Sequence, residues 1–297
     1  MSLEQVGAIA AALRADTAPL TPMERRARFE ARFGDIPVAD DVAVEEVRIG
    51  DTLGGRLVRA PGADPARVLL WLHGGAFFLG SSLSYRAFAA RVSAAAGMAV
   101  LVPDYRLVPE HRFPAAHLDT LAALDWLAAH GFARIAIGGD SAGGNLAAGA
   151  VQARIAAGGR VPDALWLISP YLDLTHSGES VLARAARDPF IAAAGMTAIA
   201  RAYLGEHDPR DPRASPLFGA VEGFPPTLIQ VGSDELLFSD AERFADRLRA
   251  AGHAPVFQEW AGMIHVWPMF AHVLDEGVWA IAQGGAFLSA PHKRKGA

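Results

Sequence analysis

A serine between two glycines stands in the segment Gly139-Asp140-Ser141-Ala142-Gly143. An apolar pattern typical of a strand precedes this segment, and a helical pattern follows it directly. Such a sharp turn raises the serine hydroxyl above a sheet, and the glycines avoid collisions with the strand and the helix. A hydroxyl presented in this way can attack a carbonyl carbon once a base removes its proton. We therefore predict that Ser141 is a nucleophile, with an ordinary turn between strand and helix as the alternative.

A second glycine-containing loop, His73-Gly74-Gly75-Ala76, also follows a predicted strand. We expect it at the carboxyl edge of the sheet, where open α/β sheets bind their ligands. The backbone N–H groups of Gly74 and Gly75, with that of Ala142, are predicted to stabilise a developing oxyanion. The alternative is that the glycines only permit a tight loop. His73 is expected to brace this loop rather than to act as the base.

The base must come from ten histidines, and their positions relative to the strands separate them. His265 follows the predicted strand that ends at Trp260, which places it at the same sheet edge as Ser141. His253 precedes that strand and falls at the opposite edge, while His272 lies in the next predicted helix. We therefore predict that His265 is the general base. A histidine of a surface loop is the alternative.

The acid that orients the histidine is predicted to be Asp234, which follows the apolar run 227–231 at the same edge. Asp234 precedes His265, so the chain order is nucleophile, acid, base, as in one known class of serine hydrolases. The adjacent Glu235 is expected to point elsewhere. Asp173 is the alternative acid, because it also follows a strand at a carboxyl edge.

The remaining sequence predicts the elements that position these residues. A period-two pattern over 42–49 and a short run at 57–58 predict an antiparallel pair. Apolar runs then alternate with helical patterns, which indicates a mainly parallel sheet with helices on both faces. The predicted strands cover 68–72, 98–102, 135–137, 165–168, 227–231 and 255–260, and the predicted helices cover 85–96, 114–129, 142–157, 240–251 and 267–288. Two short helices are expected before residue 40, the second beginning at Thr21-Pro22 with Glu24.

Composition limits the class of protein. The 297 residues are 52% hydrophobic and 20% charged, which suits one domain with a large core. The net charge is −5, and the basic run 292–295 is interpreted as a solvated tail, so no nucleic-acid partner is expected. The chain has no cysteine, which excludes disulfides, thiolate metal sites and a cysteine nucleophile. No residue spacing is typical of a metal site, and Gly143-Gly144 belongs to the serine turn, so no cofactor is expected.

The N-terminal apolar run lacks the basic residues of a signal peptide, because no Lys or Arg precedes Arg14. No uninterrupted apolar stretch reaches the about 20 residues of a membrane span. A cytoplasmic location without membrane contact is the expectation. The quaternary state, monomer or homodimer, stays open.

The sequence resembles the hormone-sensitive lipase family, particularly its bacterial esterase branch. The matching motifs are HGGAF (73–77), PDYRLVPE (103–110), GDSAGGN (139–145), SDEL (233–236) and GMIH (262–265). The resemblance implies an α/β-hydrolase fold with an eight-stranded, mostly parallel sheet in one domain, 1–297. It also implies a helical cap formed by about 1–40 and about 176–220. Ala76 stands where the family often has a third glycine, and SDELL replaces the more usual Asp-Pro-Leu.

These residues and the resemblance together predict a carboxylesterase that forms an acyl-enzyme on Ser141. The substrate is expected to be a small ester of short to medium acyl chain length, with Phe77 and Phe78 lining the acyl pocket or packing in the core. A lactonase or small-amide hydrolase could use the same residues, and a non-catalytic ligand-binding protein is a further alternative. An ordinary histidine pKa near about 6.5 predicts activity that rises over roughly pH 6 to 8.

Overall fold

The computed structural model describes residues 2–15 and 20–291 of the chain. Its centre is an eight-stranded sheet in the order β1-β2-β4-β3-β5-β6-β7-β8. Strand β2 is antiparallel to both of its neighbours, β1 and β4, and strands β3 to β8 are parallel to one another. The strands are β1 (Ala43–Ile49), β2 (Leu53–Arg59), β3 (Asp64–Leu72), β4 (Met98–Pro103), β5 (Arg134–Asp140), β6 (Leu165–Ile168), β7 (Thr227–Gly232) and β8 (Val256–Trp260). The predicted eight-stranded, mostly parallel sheet is confirmed.

The strands are covered on both faces because their side chains alternate between two apolar clusters. Along β3, Leu70 and Leu72 pack in one cluster, whereas Leu69 and Trp71 pack in the other. Strands β4, β6 and β7 are buried at every position. Parallel strands buried on both faces have nearly continuous apolar sequences, which is why the short apolar runs identified them.

The helices connect these strands and pack on the two faces of the sheet. They are α1 (Ser2–Ala15), α2 (Pro22–Gly34), α3 (Arg86–Ala96), α4 (Ala115–Ala129), α5 (Ala142–Ala156), α6 (Ser180–Ala183), α7 (Ala193–Leu204), α8 (Phe238–Ala250) and α9 (Asp275–Ser289). The predicted start of α2 is confirmed, because Thr21 and Glu24 form a capping box. None of the helices described here has an apolar stretch long enough to cross a bilayer.

The predicted single helix over 267–288 is wrong. A short 3-10 helix, Trp267–Phe270, comes first, and α9 begins only at Asp275. Pro268 suits the first turn of a helix, since its ring fixes φ and it has no N–H to donate. Leu274 then takes an extended conformation, with φ −131° and ψ 118°, which interrupts the helical path.

Two segments lie outside the alternating pattern of strands and helices. The N-terminal segment provides α1 and α2, and the stretch between β6 and β7 contains α6, α7 and a 3-10 helix at Pro216–Phe218. In α2, Arg26 Nε donates to the Phe78 carbonyl at 2.9 Å, so this helix is bound to the loop after β3. That these segments form one cap stays a prediction, and the basic run 292–295 lies outside the described residues.

Candidate active site

The turn at Ser141 has the strained geometry that the glycine pattern predicted. Strand β5 ends at Asp140 and α5 begins at Ala142, so Ser141 makes the turn alone, with φ 52° and ψ −118°. A Cβ atom on Gly139 would lie 2.4 Å from the Gly143 carbonyl, and one on Gly143 would lie 1.9 Å from the Leu72 oxygen. Both contacts exclude any side chain. A non-glycine residue with positive φ at such a turn is typical of functional sites.

The structure brings His265 to this serine. The His265 Nε2 atom lies 3.0 Å from the Ser141 Oγ atom, although the two residues are 124 positions apart. His265 is 3% exposed and Ser141 is 7% exposed, so water has little access to the bond between them. A hydroxyl within hydrogen-bond reach of an imidazole nitrogen is the geometry that proton transfer requires.

The carboxylate that contacts the histidine is Glu235, not Asp234. The His265 Nδ1 atom donates to Glu235 Oε2 at 2.8 Å, and the Glu235 side chain is fully buried. The Asp234 side chain is 36% exposed, and one of its oxygens lies 3.9 Å from an Arg187 nitrogen. The prediction that Asp234 orients the histidine is therefore wrong, as is the expectation that Glu235 points elsewhere. The alternative acid Asp173 is also wrong, since it pairs with Arg243 at 3.0 Å.

The turn after β7 determines which of the two adjacent acids reaches the histidine. The Asp234 N–H donates to the Met263 carbonyl at 3.2 Å, which fixes the backbone of this turn against the histidine loop. As a result, the Asp234 side chain faces Arg187, and the side chain of Glu235 points into the interior. The only signal in the sequence was the presence of two consecutive acids after one strand, which spacing alone does not separate.

Three donors hold the Glu235 carboxylate. Besides the His265 imidazole, the Ser169 hydroxyl donates to Oε1 at 2.8 Å, and the Gly232 N–H donates to the same oxygen. The Ser169 oxygen also accepts the Val266 N–H at 3.1 Å, so one hydroxyl joins the acid to the histidine loop. A buried carboxylate needs such partners, because an unpaired charge is costly away from water. Ser169 was not predicted from the sequence.

The surroundings shift the pKa values of both His265 and Glu235. Burial lowers the pKa of His265, but the hydrogen bond to Glu235 and its charge outweigh burial, and the charges of Asp188 and Asp140 add to them. The net effect raises the pKa of His265 above its ordinary value. Burial also raises the pKa of Glu235, and the contacts with His265 and Gly232 oppose that rise only in part. The expectation of an ordinary histidine pKa is therefore wrong.

The loop after β3 supplies backbone donors, but Gly74 is not free to be one of them. Its N–H donates to the Tyr85 hydroxyl at 3.0 Å, which contradicts its predicted role in an oxyanion hole. The N–H groups of Gly75, Ala76 and Ala142 have no acceptor within residues 2–15 and 20–291. Gly75 must be glycine, because its φ is 112° and an added Cβ would lie 2.3 Å from the Leu79 oxygen.

A buried network holds Gly74 in place. The Tyr85 hydroxyl donates to Asp140 Oδ2 at 2.7 Å, and Trp71 Nε1 donates to the other oxygen of Asp140 at 3.2 Å. A Cβ on Gly74 would lie 2.1 Å from Asp140 Oδ2, so the glycine permits this close approach. Burial raises the pKa of Asp140 to about 6, against the opposing hydrogen bonds. Tyr85 was not predicted from the sequence, because it belongs to neither motif, although it lies only 11 residues after Gly74.

His73 lies inside the same loop. Its Nδ1 atom is 2.8 Å from the Gly74 oxygen, and its ring stacks on Tyr105 with centroids 4.1 Å apart. The Tyr105 hydroxyl donates to the His73 carbonyl at 2.6 Å. Burial lowers the pKa of His73 to about 4, although the contact with Gly74 opposes the shift. These contacts agree with a bracing role.

The two phenylalanines after the loop differ in their surroundings. Phe77 has no exposed surface, and its ring stacks on Tyr203 at a centroid distance of 3.7 Å. It therefore packs in the core, and the prediction that Phe77 lines an acyl pocket is wrong. Phe78 is half-buried, with the Arg26 guanidinium 5.0 Å from its ring centre. A role for Phe78 in substrate binding stays a prediction.

The known proteins that are similar to this chain are hydrolases and esterases with an alpha/beta hydrolase fold. The profile of a family described as having an alpha/beta hydrolase fold matches residues 69–269. An acetyl-hydrolase of Streptomyces hygroscopicus is 44% identical over 230 residues, 77% of each chain. An esterase of Acinetobacter venetianus is 34% identical over 258 residues, 86% of this chain and 84% of its own. The crystal structure of an esterase from the bacterial hormone-sensitive lipase family has a TM-score of 0.93 and 39% identity, and covers 96% of this chain and 97% of its own.

Proposed function

Given that this chain belongs to the family with the alpha/beta hydrolase fold and is a carboxylesterase, we propose that it cleaves esters through Ser141, His265 and Glu235. The observation that carries this proposal is the continuous hydrogen-bonded series from the serine hydroxyl through the imidazole to the buried carboxylate. The same constellation of nucleophile, base and acid occurs on unrelated folds, where geometry rather than sequence position identifies it.

The first half of the proposed reaction forms an acyl-enzyme. Ser141 Oγ attacks the ester carbonyl carbon while His265 Nε2 takes the hydroxyl proton. The carbonyl oxygen becomes an oxyanion, which the N–H groups of Gly75, Ala76 and Ala142 stabilise. The carbon–oxygen bond to the alcohol then breaks, and the histidinium gives its proton to the departing alkoxide.

The second half releases the acid. A water molecule gives a proton to the His265 imidazole and attacks the acyl carbon, and the same donors stabilise the second oxyanion. The bond to Ser141 Oγ breaks, and the histidinium returns the proton to the serine. Throughout, Glu235 keeps Nδ1 protonated and stabilises the positive charge that forms on the ring.

We propose esters of short to medium acyl chain length as the substrates. One relative is named an acetyl-hydrolase, and a solved structure at 35% identity and a TM-score of 0.91 was soaked with p-nitrophenyl butyrate. These names support short acyl groups for this chain.

A panel of p-nitrophenyl esters from acetate to palmitate, with lactones and anilides added, tests this proposal. We expect kcat/KM to be highest between acetate and octanoate and to fall steeply toward palmitate. Higher kcat/KM for lactones or anilides than for the p-nitrophenyl esters would contradict the proposal and would indicate a lactonase or an amidase. Absence of all hydrolysis, together with no labelling of Ser141 by a fluorophosphonate, would indicate a binding protein instead.

The pH dependence of hydrolysis is a separate prediction. His265 must be neutral to accept the serine proton, and its pKa is raised, mainly by Glu235 against the effect of burial. A base with a raised pKa loses its proton only at higher pH, so kcat/KM for p-nitrophenyl butyrate should rise along a limb centred above about 6.5. The measurement is the initial rate at the isosbestic wavelength of p-nitrophenol from about pH 5 to about pH 9. A limb centred below the ordinary histidine value would contradict the geometry of this pair.

A further inference from the structure

Asp188 is a buried carboxylate of the segment between α6 and α7, and the proposed reaction does not use it. Its side chain is 6% exposed. One oxygen accepts the N–H groups of Phe190 and Ile191, at 2.8 and 3.0 Å, and the other accepts the Leu236 N–H at 3.0 Å. Within residues 2–15 and 20–291 no cation pairs with it. A buried carboxylate needs hydrogen-bond partners, and here the three donors tie one side chain to its own turn and to the loop after β7.

The Leu236 N–H belongs to the peptide directly after Glu235. Two further residues of the Asp188 segment contact the same loop: the Arg184 guanidinium donates to the Ser233 carbonyl, and Arg187 lies 3.9 Å from Asp234. The segment therefore contacts the loop on both sides of Glu235. Of these contacts, only the one from Asp188 is buried at both ends.

The same turn also contacts the base. Phe190, whose N–H is bound by Asp188, places its ring 5.9 Å from the His265 ring at an interplanar angle of 63°. Edge-to-face contacts of this kind restrict ring orientation. One carboxylate thus holds the peptide next to the acid and the aromatic ring next to the base.

We infer that Asp188 is a positioning residue of the hydrolytic site, which joins the segment between α6 and α7 to the loop of Glu235 and holds Glu235 and His265 in their mutual geometry. This inference rests on the proposed function. A displacement of reacting groups by about 1 Å, caused by a change away from the chemistry, can lower the rate by up to about 100-fold.

The charge of Asp188 should affect the pH profile of hydrolysis, which a purely structural role would leave unchanged. Among the residues that the structure describes, Glu235 contacts His265, and the negative charges of Glu235, Asp188 and Asp140 each raise the pKa of His265. Removal of one of these negative charges makes the imidazole less basic. The acidic limb of the pH profile should then move to lower pH, whereas a simple loss of folded protein leaves the limb in place.

The test compares Asp188→Asn with wild type, with rates per active site counted by fluorophosphonate titration. We expect kcat for p-nitrophenyl butyrate to fall by about 10- to 100-fold, KM to change by less than about threefold, and the acidic limb to move to lower pH. Asp188→Ser is the second variant. Its hydroxyl retains an acceptor for the local turn but does not reach Leu236, so it should show the same shift if the asparagine variant folds poorly.

Asp234→Asn is the matched control, because it removes an equal charge from the loop that Asp188 contacts, but from a part-exposed side chain that pairs with Arg187. It should leave kcat within about twofold of the wild-type value and the acidic limb at the wild-type pH. Wild-type kcat and an unmoved limb in folded Asp188→Asn and Asp188→Ser would overturn the inference while leaving the proposed function intact. A wild-type protein that neither hydrolyses esters nor reacts with the fluorophosphonate would overturn both.

Discussion

Replacing Ser141 with alanine should lower kcat for p-nitrophenyl butyrate by at least about 10⁴-fold. In the proposed reaction Ser141 Oγ forms the covalent bond to the acyl group, and no other hydroxyl within the described residues lies against His265 Nε2. The backbone donors and the buried histidine remain in the variant. Their residual effect on a water molecule accounts for any activity that is left. The measurement is kcat from initial rates, together with loss of fluorophosphonate labelling.

A serine outside the site provides the matched control for this substitution. The Ser289 hydroxyl, in the last turn of α9, donates to the Ala96 carbonyl at 3.0 Å, and Ser289→Ala should retain wild-type kcat. Both alanine variants should keep the wild-type far-ultraviolet circular dichroism spectrum. A folded Ser141→Ala protein that hydrolyses the ester at near the wild-type rate would show that the nucleophile lies elsewhere.

Replacing Glu235 with glutamine should lower kcat by about 10⁴-fold, as the loss of the acid does in other enzymes of this kind. The amide has nearly the same shape but no charge, so it no longer stabilises the histidinium or favours the Nδ1-protonated tautomer. The loss of its charge should also move the acidic limb to lower pH. The measurement is the pH profile of kcat per titrated active site.

The adjacent acid tests this assignment by contrast. The kcat of Asp234→Asn should remain within about twofold of the wild-type kcat, because the Asp234 side chain is part-exposed and faces Arg187. The kcat of Glu235→Asp should lie between those of Asp234→Asn and Glu235→Gln, because the aspartate side chain is one methylene shorter and its carboxylate lies farther from His265 Nδ1. If Asp234→Asn abolished hydrolysis while Glu235→Gln retained it, the geometry of the acid loop would be wrong.

Much of the fold and two of the three proposed catalytic residues could be predicted from local sequence. Parallel strands buried on both faces require continuous apolar runs, which are visible without any knowledge of partners. The turn at Ser141 leaves no space for a Cβ at Gly139 or Gly143, so steric exclusion imposes a short glycine pattern. His265 was found because it follows β8, and the carboxyl ends of parallel strands share one edge of the sheet.

The errors occurred where contacts between distant segments decide the direction of a side chain or the partner of a backbone N–H. Asp234 and Glu235 follow the same strand, and the bond from the Asp234 N–H to the Met263 carbonyl sets which of them faces inward. Gly74 and Gly75 look equivalent in the motif, yet the Tyr85 hydroxyl accepts the N–H of Gly74 alone.

By itself, then, the sequence determined the sheet and the positions of the proposed nucleophile and base, because these depend on the periodicity of burial and on steric limits within a few residues. Only the tertiary structure decided which carboxylate contacts His265, which backbone N–H groups are available as donors, and where Asp188 lies. Each of these depends on a hydrogen bond outside the local strand or helix pattern, over 11 residues for Gly74 and Tyr85, 29 for Asp234 and Met263, and 48 for Leu236 and Asp188. The direction of such a bond is set by the packed fold and leaves no periodic trace in the sequence.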